Sequence, residues 1–332
     1  MKIFKITVFF VLSIIIFIIS WYSVSRIRSI NTRLTVYTFK EFKVKKNTSE
    51  ITKLKIASYN IAHGRGGKYG AKNWQYSSKK SLFEHLDKIV EQVKEEDPDI
   101  ILLNEIDFSS AWSFNIDQAK YIGKKCSYPY ILEQKNMDVS FPFYRFCFGN
   151  ALLSRYPIEN EKFIDFPPYS KIEDFFVGNH DAFFCELNIP SGTIGVFGIH
   201  FEYRDEGIRV KCAESLNEQC AGIKYPIIAL GDFNSSPIGY PNSELSVNGM
   251  NAMTYLINKN GFISYLNEEN SKNAYTFPSN APDRLIDWII GKGIGRFTNS
   301  KIIKSGLSDH LMIITEIELK KEKYIRDRHF LL

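Results

Sequence analysis

Residues Ile227 to Pro237 read I-I-A-L-G-D-F-N-S-S-P. An apolar run ends at Gly231 and is followed at once by Asp232 and Asn234, and Pro237 stops any regular continuation. Such a run with a turn signal behind it reads as a buried strand. The polar pair then sits where the chain leaves a sheet, a place where rigid scaffolds present chemistry. Asp and Asn two residues apart on an extended segment point the same way. One offers anionic oxygen and the other an amide that donates and accepts, a combination suited to a hard cation beside a phosphate oxygen. G-D-x-N also reads as a plain Asx turn, so the rest of the chain has to separate the two readings.

Working outward, the same pattern returns. Leu54–Asn60 (LKIASYN) is a strand ending in an amide, followed by the loop Ala62-His63-Gly64-Arg65-Gly66-Gly67. Residues 78–96 carry Leu82, Leu86, Ile89, Val90 and Val93 at helical spacing, and Asp97-Pro98 ends them. Asp99–Asn104 (DIILLN) is a second buried strand with Glu105 directly after it. A carboxylate there is costly unless it is paired or holds a cation. Gly149–Ser154 starts another strand. Residues 181–189 and 193–200 form a hairpin around Pro190-Ser191-Gly192, its second strand ending in His200, which read singly is a surface or core histidine. A helix is expected over 208–222. Leu285–Ile290 (LIDWII) encloses Asp287, and Ser308-Asp309-His310 precedes a last strand, 311–319. Between these lie 107–148, readable only as a short helix near 118–123, and 238–282, with a helix near 249–260.

The N-terminus is of another kind. Residues 6–24 are uncharged and rich in Ile, Phe, Leu and Val, long enough for a bilayer-spanning helix. Trp21 and Tyr22 stand where interfacial aromatics belong. A cleaved signal peptide is the competing reading, but its apolar region is shorter and Ser23-Val24-Ser25 is a poor cleavage site. Basic residues flank both ends, so orientation rests on a short basic N-terminus preceding a long domain, which favours an extracytoplasmic domain. Residues 25–52 read as a basic juxtamembrane segment, with an edge strand over 35–45 and a turn at Asn47-Thr48-Ser49. The expected organisation is an anchor over 1–24, the juxtamembrane segment over 25–52, a catalytic domain over 53–319 and a basic tail over 320–332.

The net charge of +5 belongs to the ends. Residues 1–52 carry nine Lys/Arg against two Asp/Glu and residues 320–332 five against two, which leaves 53–319 at −5. Such a domain lacks the bulk basic footprint of a nucleic-acid binder. The five cysteines show no C-x-x-C spacing, and their odd number leaves at least one unpaired within a monomer. Six histidines without H-x-x-x-H spacing speak against zinc, and no G-x-S-x-G elbow is present. The collected strand-end residues are Asn60, Glu105, His200, Asp232, Asn234, Asp287, Asp309 and His310. Carboxylate and amide oxygens suit Mg²⁺, and a His–Asp pair holds or moves a proton near neutrality.

Ser58-Tyr59-Asn60-Ile61, Leu103-Asn104-Glu105, Gly149-Asn150-Ala151-Leu152-Leu153-Ser154-Arg155-Tyr156-Pro157, Gly231-Asp232-Phe233-Asn234, Ile286-Asp287-Trp288-Ile289 and Ser308-Asp309-His310 occur in an order that resembles the endonuclease/exonuclease/phosphatase superfamily, the DNase I-like fold, over about 53–319. The resemblance implies an α/β fold of two packed mixed β-sheets flanked by helices, a four-layer sandwich, and Mg²⁺-dependent hydrolysis of a phosphate ester, with Mn²⁺ as an alternative ion. It implies Glu105, Asn60 and Asp309 on the metal side. Asp232 and Asn234 would position phosphate and water, His310 would pair with Asp287, and His200 would be a second imidazole. Asn150 and Arg155 would face the substrate. That substrate is a phosphodiester or phosphomonoester, with a phospholipid headgroup suggested by the anchor and nucleic acid as the alternative. No protein partner is inferable. Two departures stand out: Asn104 replaces the Gln of many members, and Ala62 replaces an acidic residue common in repair endonucleases. The segment His63–Gly67 together with Ala111-Trp112-Ser113 looks closer to uncharacterised bacterial members.

Overall fold

Two strand–helix–strand units set the frame of the catalytic domain. The structure, a computed structural model, describes residues 2–42, 51–66, 78–141, 143–266 and 274–319. In chain order its helices are α1 (Lys2–Ile30), α2 (Lys79–Glu96), α3 (Gln118–Lys125), α4 (Lys171–Val177), α5 (Glu206–Gln219) and the short α6 (Ala252–Thr254), which lies within the helix expected near 249–260. The strands are β1 (Leu34–Thr38), β2 (Lys53–Asn60), β3 (Ile100–Asp107), β4 (Tyr130–Phe141), β5 (Tyr144–Ser154), β6 (Ile158–Ile164), β7 (Ala182–Ile189), β8 (Gly192–His200), β9 (Ile227–Asp232), β10 (Ile263–Ser264), β11 (Asp287–Lys292), β12 (Arg296–Ile303) and β13 (Met312–Glu318). They form a seven-stranded sheet, β1-β4-β5-β3-β2-β13-β12, and a six-stranded sheet, β10-β11-β9-β8-β7-β6.

Each sheet has a parallel pair at its heart. β2 and β3 run parallel with Asn60 opposite Asn104, joined through α2. β8 and β9 run parallel with His200 opposite Asp232, joined through α5. Parallel strands need such crossovers and are covered on both faces, which explains why DIILL and IIALG are continuous rather than alternating. Leu54, Ile56 and Leu102 face Val196, Ile228 and Leu230 between the sheets, beside Gly198, whose added Cβ would meet Leu102. Tyr59, Ile101 and Leu103 point outward against Leu82, Leu86 and Ile89 of α2 and Ile122 of α3. The expected sandwich of two mixed sheets between helices is therefore present, and both parallel pairs deliver their C-terminal ends to one edge.

Several elements depart from the sequence expectations. The unreadable 107–148 holds β4 of the long hairpin β4–β5; its register shifts between Lys135 and Met137, which breaks the alternation that identifies a strand. β11 begins at Asp287, so this residue stands at a strand start, opposite Asp232, rather than inside one. The helix expected to end at residue 24 continues to Ile30. β1, within the segment read as juxtamembrane, pairs antiparallel with β4 and completes the sheet, so the folded domain begins before Lys53. All five cysteines are free. The turn at 47–49, Gly67 and the basic tail 320–332 lie outside the described residues.

Candidate active site

The site is built at the common edge where the two parallel pairs end. Asn104 ties the pairs together: its Nδ2 donates to Ile199 O (2.9 Å) and to Asn150 Oδ1 (2.7 Å), and its Oδ1 accepts from Asp232 N (3.1 Å). One buried amide thus spans both sheets directly beneath the chemistry. Gly231 makes the close approach feasible. Its φ is 139°, and an added Cβ would lie 2.0 Å from Ile199 O, so only glycine fits there.

Glu105 leaves the sheet through a bulge. The β3–β5 register shifts between Leu103 and Ile106, and Glu105 takes φ 50°. A left-handed non-glycine residue is strained and marks a functional constraint; Ala62 (47°), His63 (55°) and Asn234 (49°) share the feature at this edge. The bulge turns the Glu105 carboxylate into two adjoining cavities of ≈ 580 and ≈ 450 Å³, both also lined by His180, His200 and Tyr203.

On one side of Glu105 stands a histidine between two carboxylates. Asp232 and Asp287 are direct cross-strand partners, an arrangement that like charges make unfavourable. His310 resolves it. Its Nδ1 lies 3.0 Å from Asp287 Oδ2 and its Nε2 3.7 Å from Asp232 Oδ2. Burial opposes a charge on this ring, but Asp287 and Asp232 outweigh it and lift the imidazole to about 10. Asp232 is itself raised, by burial first, with the His310 charge working against the rise and Asp287 with it. Its Oδ1 accepts from Asn234 N (2.9 Å), so the Asx turn and the functional reading hold together. Asn234 Nδ2 is tied to Phe201 O at 2.9 Å.

On the other side stands a pair that strand-end reasoning missed. His63 Nδ1 lies 2.9 Å from Asp107 Oδ1, and its Nε2 lies 3.6 Å from Glu105 Oε2. Trp112 Nε1 donates to Asp107 Oδ2 at 2.9 Å, and the rings of Trp112 and Phe148 stand edge-on to His63. Burial works against the His63 charge, yet Asp107 and then Glu105 raise its affinity for a proton. Arg65 Nη2 lies 3.8 Å from both Glu105 Oε2 and Asp309 Oδ2. Burial disfavours charge on Glu105, but His63, then Arg65 and the Asn60 amide, more than offset it and hold the carboxyl below its ordinary range.

His200 is the third imidazole. It is buried, 3.9 Å by its Nε2 from Asp232 Oδ2, and its Nδ1 has no hydrogen-bond partner among the described residues. Burial, with His180 beside it, pushes it down to about 3, so it is neutral.

Three expected residues take other parts. Asn60 presents its amide nitrogen to Glu105 Oε1 (3.0 Å) and Asp232 Oδ2 (3.1 Å), while its Oδ1 accepts from Ala62 N (3.0 Å). A flipped amide would set its nitrogen against Ala62 N, so Asn60 bridges the two carboxylates as a donor. Asn150 lies below the cavities, donating to Gln134 and supporting Asn104. Arg155 is not at the site. It follows Ser154, which pairs with Ile100 at the opposite end of β3 from Glu105, and it binds Asp97 and Pro98 O. Its place in a motif reflects clamping of a loop, not contact with substrate.

The donors fit a divalent cation. Glu105 and Asp309 converge on a single cationic group at Arg65 Nη2, and both offer the carboxylate oxygens that hard cations prefer. Asp232, Asp287 and His310 also bring ligand atoms within 4.8 Å of one another, but both Asp287 oxygens are already directed at His310.

The fold is shared with solved structures. An endonuclease/exonuclease/phosphatase protein from Beutenbergia cavernae DSM 12333 superposes with a TM-score of 0.62 at 16% identity, covering 81% of this chain and 72% of that one. A family protein from Leptotrichia buccalis C-1013-b gives 0.55 at 16% identity, covering 80% and 100%. D. rerio TDP2, humanized by 14 mutations, gives 0.55 at 14% identity, covering 81% and 100%. No curated protein matches the chain. The family model described as Endonuclease/Exonuclease/phosphatase family matches residues 57–310. With most of its length matched and the strand-end residues gathered at one edge, the chain belongs to the endonuclease/exonuclease/phosphatase family and is a phosphoric ester hydrolase.

Proposed function

We propose that this chain is a membrane-anchored, Mg²⁺-dependent phosphoesterase, with Mn²⁺ as a substitute ion, that hydrolyses a phosphodiester or phosphomonoester at a membrane. The observation that carries it is Glu105, turned by its bulge into both cavities between His63–Asp107 and His310–Asp287. A cation held by Glu105 and Asp309 would polarise a phosphoryl oxygen and offset developing charge. Asp232, raised by burial and fixed by Asn234 N and Asn60 Nδ2, takes a proton from the attacking water. His310, kept protonated by Asp287, donates to the phosphate as negative charge accumulates. Neutral His200 lines the ≈ 580 Å³ cavity with its Nε2 3.9 Å from Asp232 Oδ2, and would orient a phosphate oxygen there.

The anchor reading rests on Phe4–Ile30, apolar enough to span a bilayer, with its apolar side chains exposed. The −5 balance of 53–319 disfavours tight polyanion binding, so nucleic acid is the alternative substrate. Plasmid nicking and phospholipid hydrolysis by the full chain, each with Mg²⁺, with EDTA and with Asp232→Ala, tests the reading; truncation at Lys53 would remove β1 from its sheet. Metal- and Asp232-dependent hydrolysis of phospholipid is expected. Hydrolysis of neither substrate by folded protein would sink it.

A further inference from the structure

The last turns of α1 are bonded to the catalytic domain. Trp21 Nε1 donates to Ser140 O (2.7 Å), and Ser25 Oγ accepts from Ser140 N (2.9 Å). Tyr22 OH reaches Phe175 O and Phe176 O, and its ring packs among Phe141, Phe175 and Phe176. Arg26, 5% exposed, donates to the carbonyls of Asp174 and Phe175 and pairs with the Asp174 carboxylate. A flexible tether would make none of these contacts.

The contacts also set a height. Lys135 N donates to Arg33 O, and β4 then follows α1 outward as far as Trp21. From Ile30 back to Trp21 the helix climbs about 14 Å, and β4 climbs about 16 Å from Lys135 to Ser140, the residue that bonds Trp21. Beyond the docked turns, Phe4 to Ser20 supply about 25 Å of helix, close to the ~30 Å hydrocarbon thickness of a bilayer. Trp21 therefore marks the bilayer surface, and the β4–β5 tip stands at its level. The apolar groups there are open: Phe143 is 99% exposed, and on α4 Ile172 is 73% and Phe176 55% exposed.

α4 is also a wall of the site. The ≈ 450 Å³ cavity is lined by Glu105 and His63 together with Tyr169, Glu173, Asp174 and Val177. Asp174 belongs to both structures, lining this cavity and pairing with Arg26 of α1.

We propose that α4 and the β4–β5 tip sink into the surface of the bilayer that α1 spans, and that the cavity beneath α4 receives a phosphate ester carried by a lipid of that bilayer. This rests on the anchored-phosphoesterase reading and deepens it: the helix fixes which face of the domain meets the membrane, and that face holds one opening of the site. Apolar side chains at an interface hold a protein by the area they bury.

The full chain is reconstituted into phosphatidylcholine–phosphatidylglycerol vesicles with a photoactivatable benzoylphenylalanine at 143, at 172, or at 263, on the strand at the far edge of the smaller sheet. Lipid crosslinks are expected at 143 and 172 and not at 263. In parallel, the double variant Phe143→Ser, Ile172→Ser should hydrolyse vesicle phospholipid about tenfold more slowly and soluble bis(p-nitrophenyl) phosphate at the unchanged rate. Crosslinks absent from 143 and 172, or equal losses on both substrates, overturn the platform. Wild-type protein that cleaves the soluble ester or nicks plasmid but spares vesicle lipid overturns the lipid substrate. Wild-type protein that hydrolyses no ester at all refutes the phosphoesterase reading instead, and the crosslinks still decide the platform.

Discussion

Two buried histidine–aspartate pairs stand on either side of Glu105, and they differ in what the second ring nitrogen faces. In His310–Asp287 that nitrogen faces Asp232, a carboxylate already fixed by Asn234 and Asn60. In His63–Asp107 it faces Glu105 itself, and Trp112 takes the remaining Asp107 oxygen. On the proposed reading the first pair presents charge to a substrate. The second braces the carboxylate proposed to hold the cation, beside the position where repair endonucleases carry an acid and this chain has Ala62. Similar chemistry thus serves reaction on one side and support on the other, and removing each pair should cost different kinetic quantities.

The largest effect is expected from Asp232→Asn, where loss of the proton acceptor should cut turnover about 10³-fold or more with the fold intact; a loss below tenfold would break the assignment of Asp232. His310→Gln should cost about 10²- to 10³-fold in kcat with little change in the Mg²⁺ requirement. Asp107→Asn should do the reverse. About 10- to 100-fold more Mg²⁺ should be needed for half-maximal rate, as when groups behind a metal ligand are removed, and near-normal turnover should return at saturating metal. If Asp107→Asn instead lowers kcat at every metal concentration, the two pairs are not distinct.

A pH series sharpens the comparison without any substrate. The folded-state value of His310, about 10, lies above the ordinary imidazole value of about 6.5. Its protonation therefore stabilises the fold fully below about pH 6.5, and that stability is lost as pH rises toward about 10. In EDTA, the thermal midpoint of the wild type should fall between those limits, and Asp287→Asn should flatten the fall; parallel curves would contradict the pairing. The smallest effect belongs to Arg155→Ala. Loss of its surface pairing with Asp97 should cost about 1 kcal/mol or less in stability and leave kcat and KM alone.

The two pairs also differ in how far they could be read beforehand. Asp287 and His310 each adjoin an apolar run, so the cost of burying them is visible in the sequence. His63 lies among glycines and Asp107 opens a region without clear periodicity, so only the three-dimensional fold shows that they touch. The fold itself was legible because β3 and β9 are buried on both faces and read as continuous apolar runs. The β4–β5 hairpin was not, since its bulge breaks the period, and the Glu105 bulge left no mark beyond Asn104-Glu105. Arg155 shows the opposite failure, a motif position whose side chain points away from the chemistry.

The most direct test of the central claim is a Mg²⁺ titration of bis(p-nitrophenyl) phosphate hydrolysis by the full chain and by Glu105→Gln. The wild type should be active with Mg²⁺ and silent in EDTA, and Glu105→Gln should stay silent or need far more metal while keeping its thermal midpoint. Equal activity of the two proteins at low Mg²⁺, or wild-type activity that survives EDTA, would contradict a cation held by Glu105.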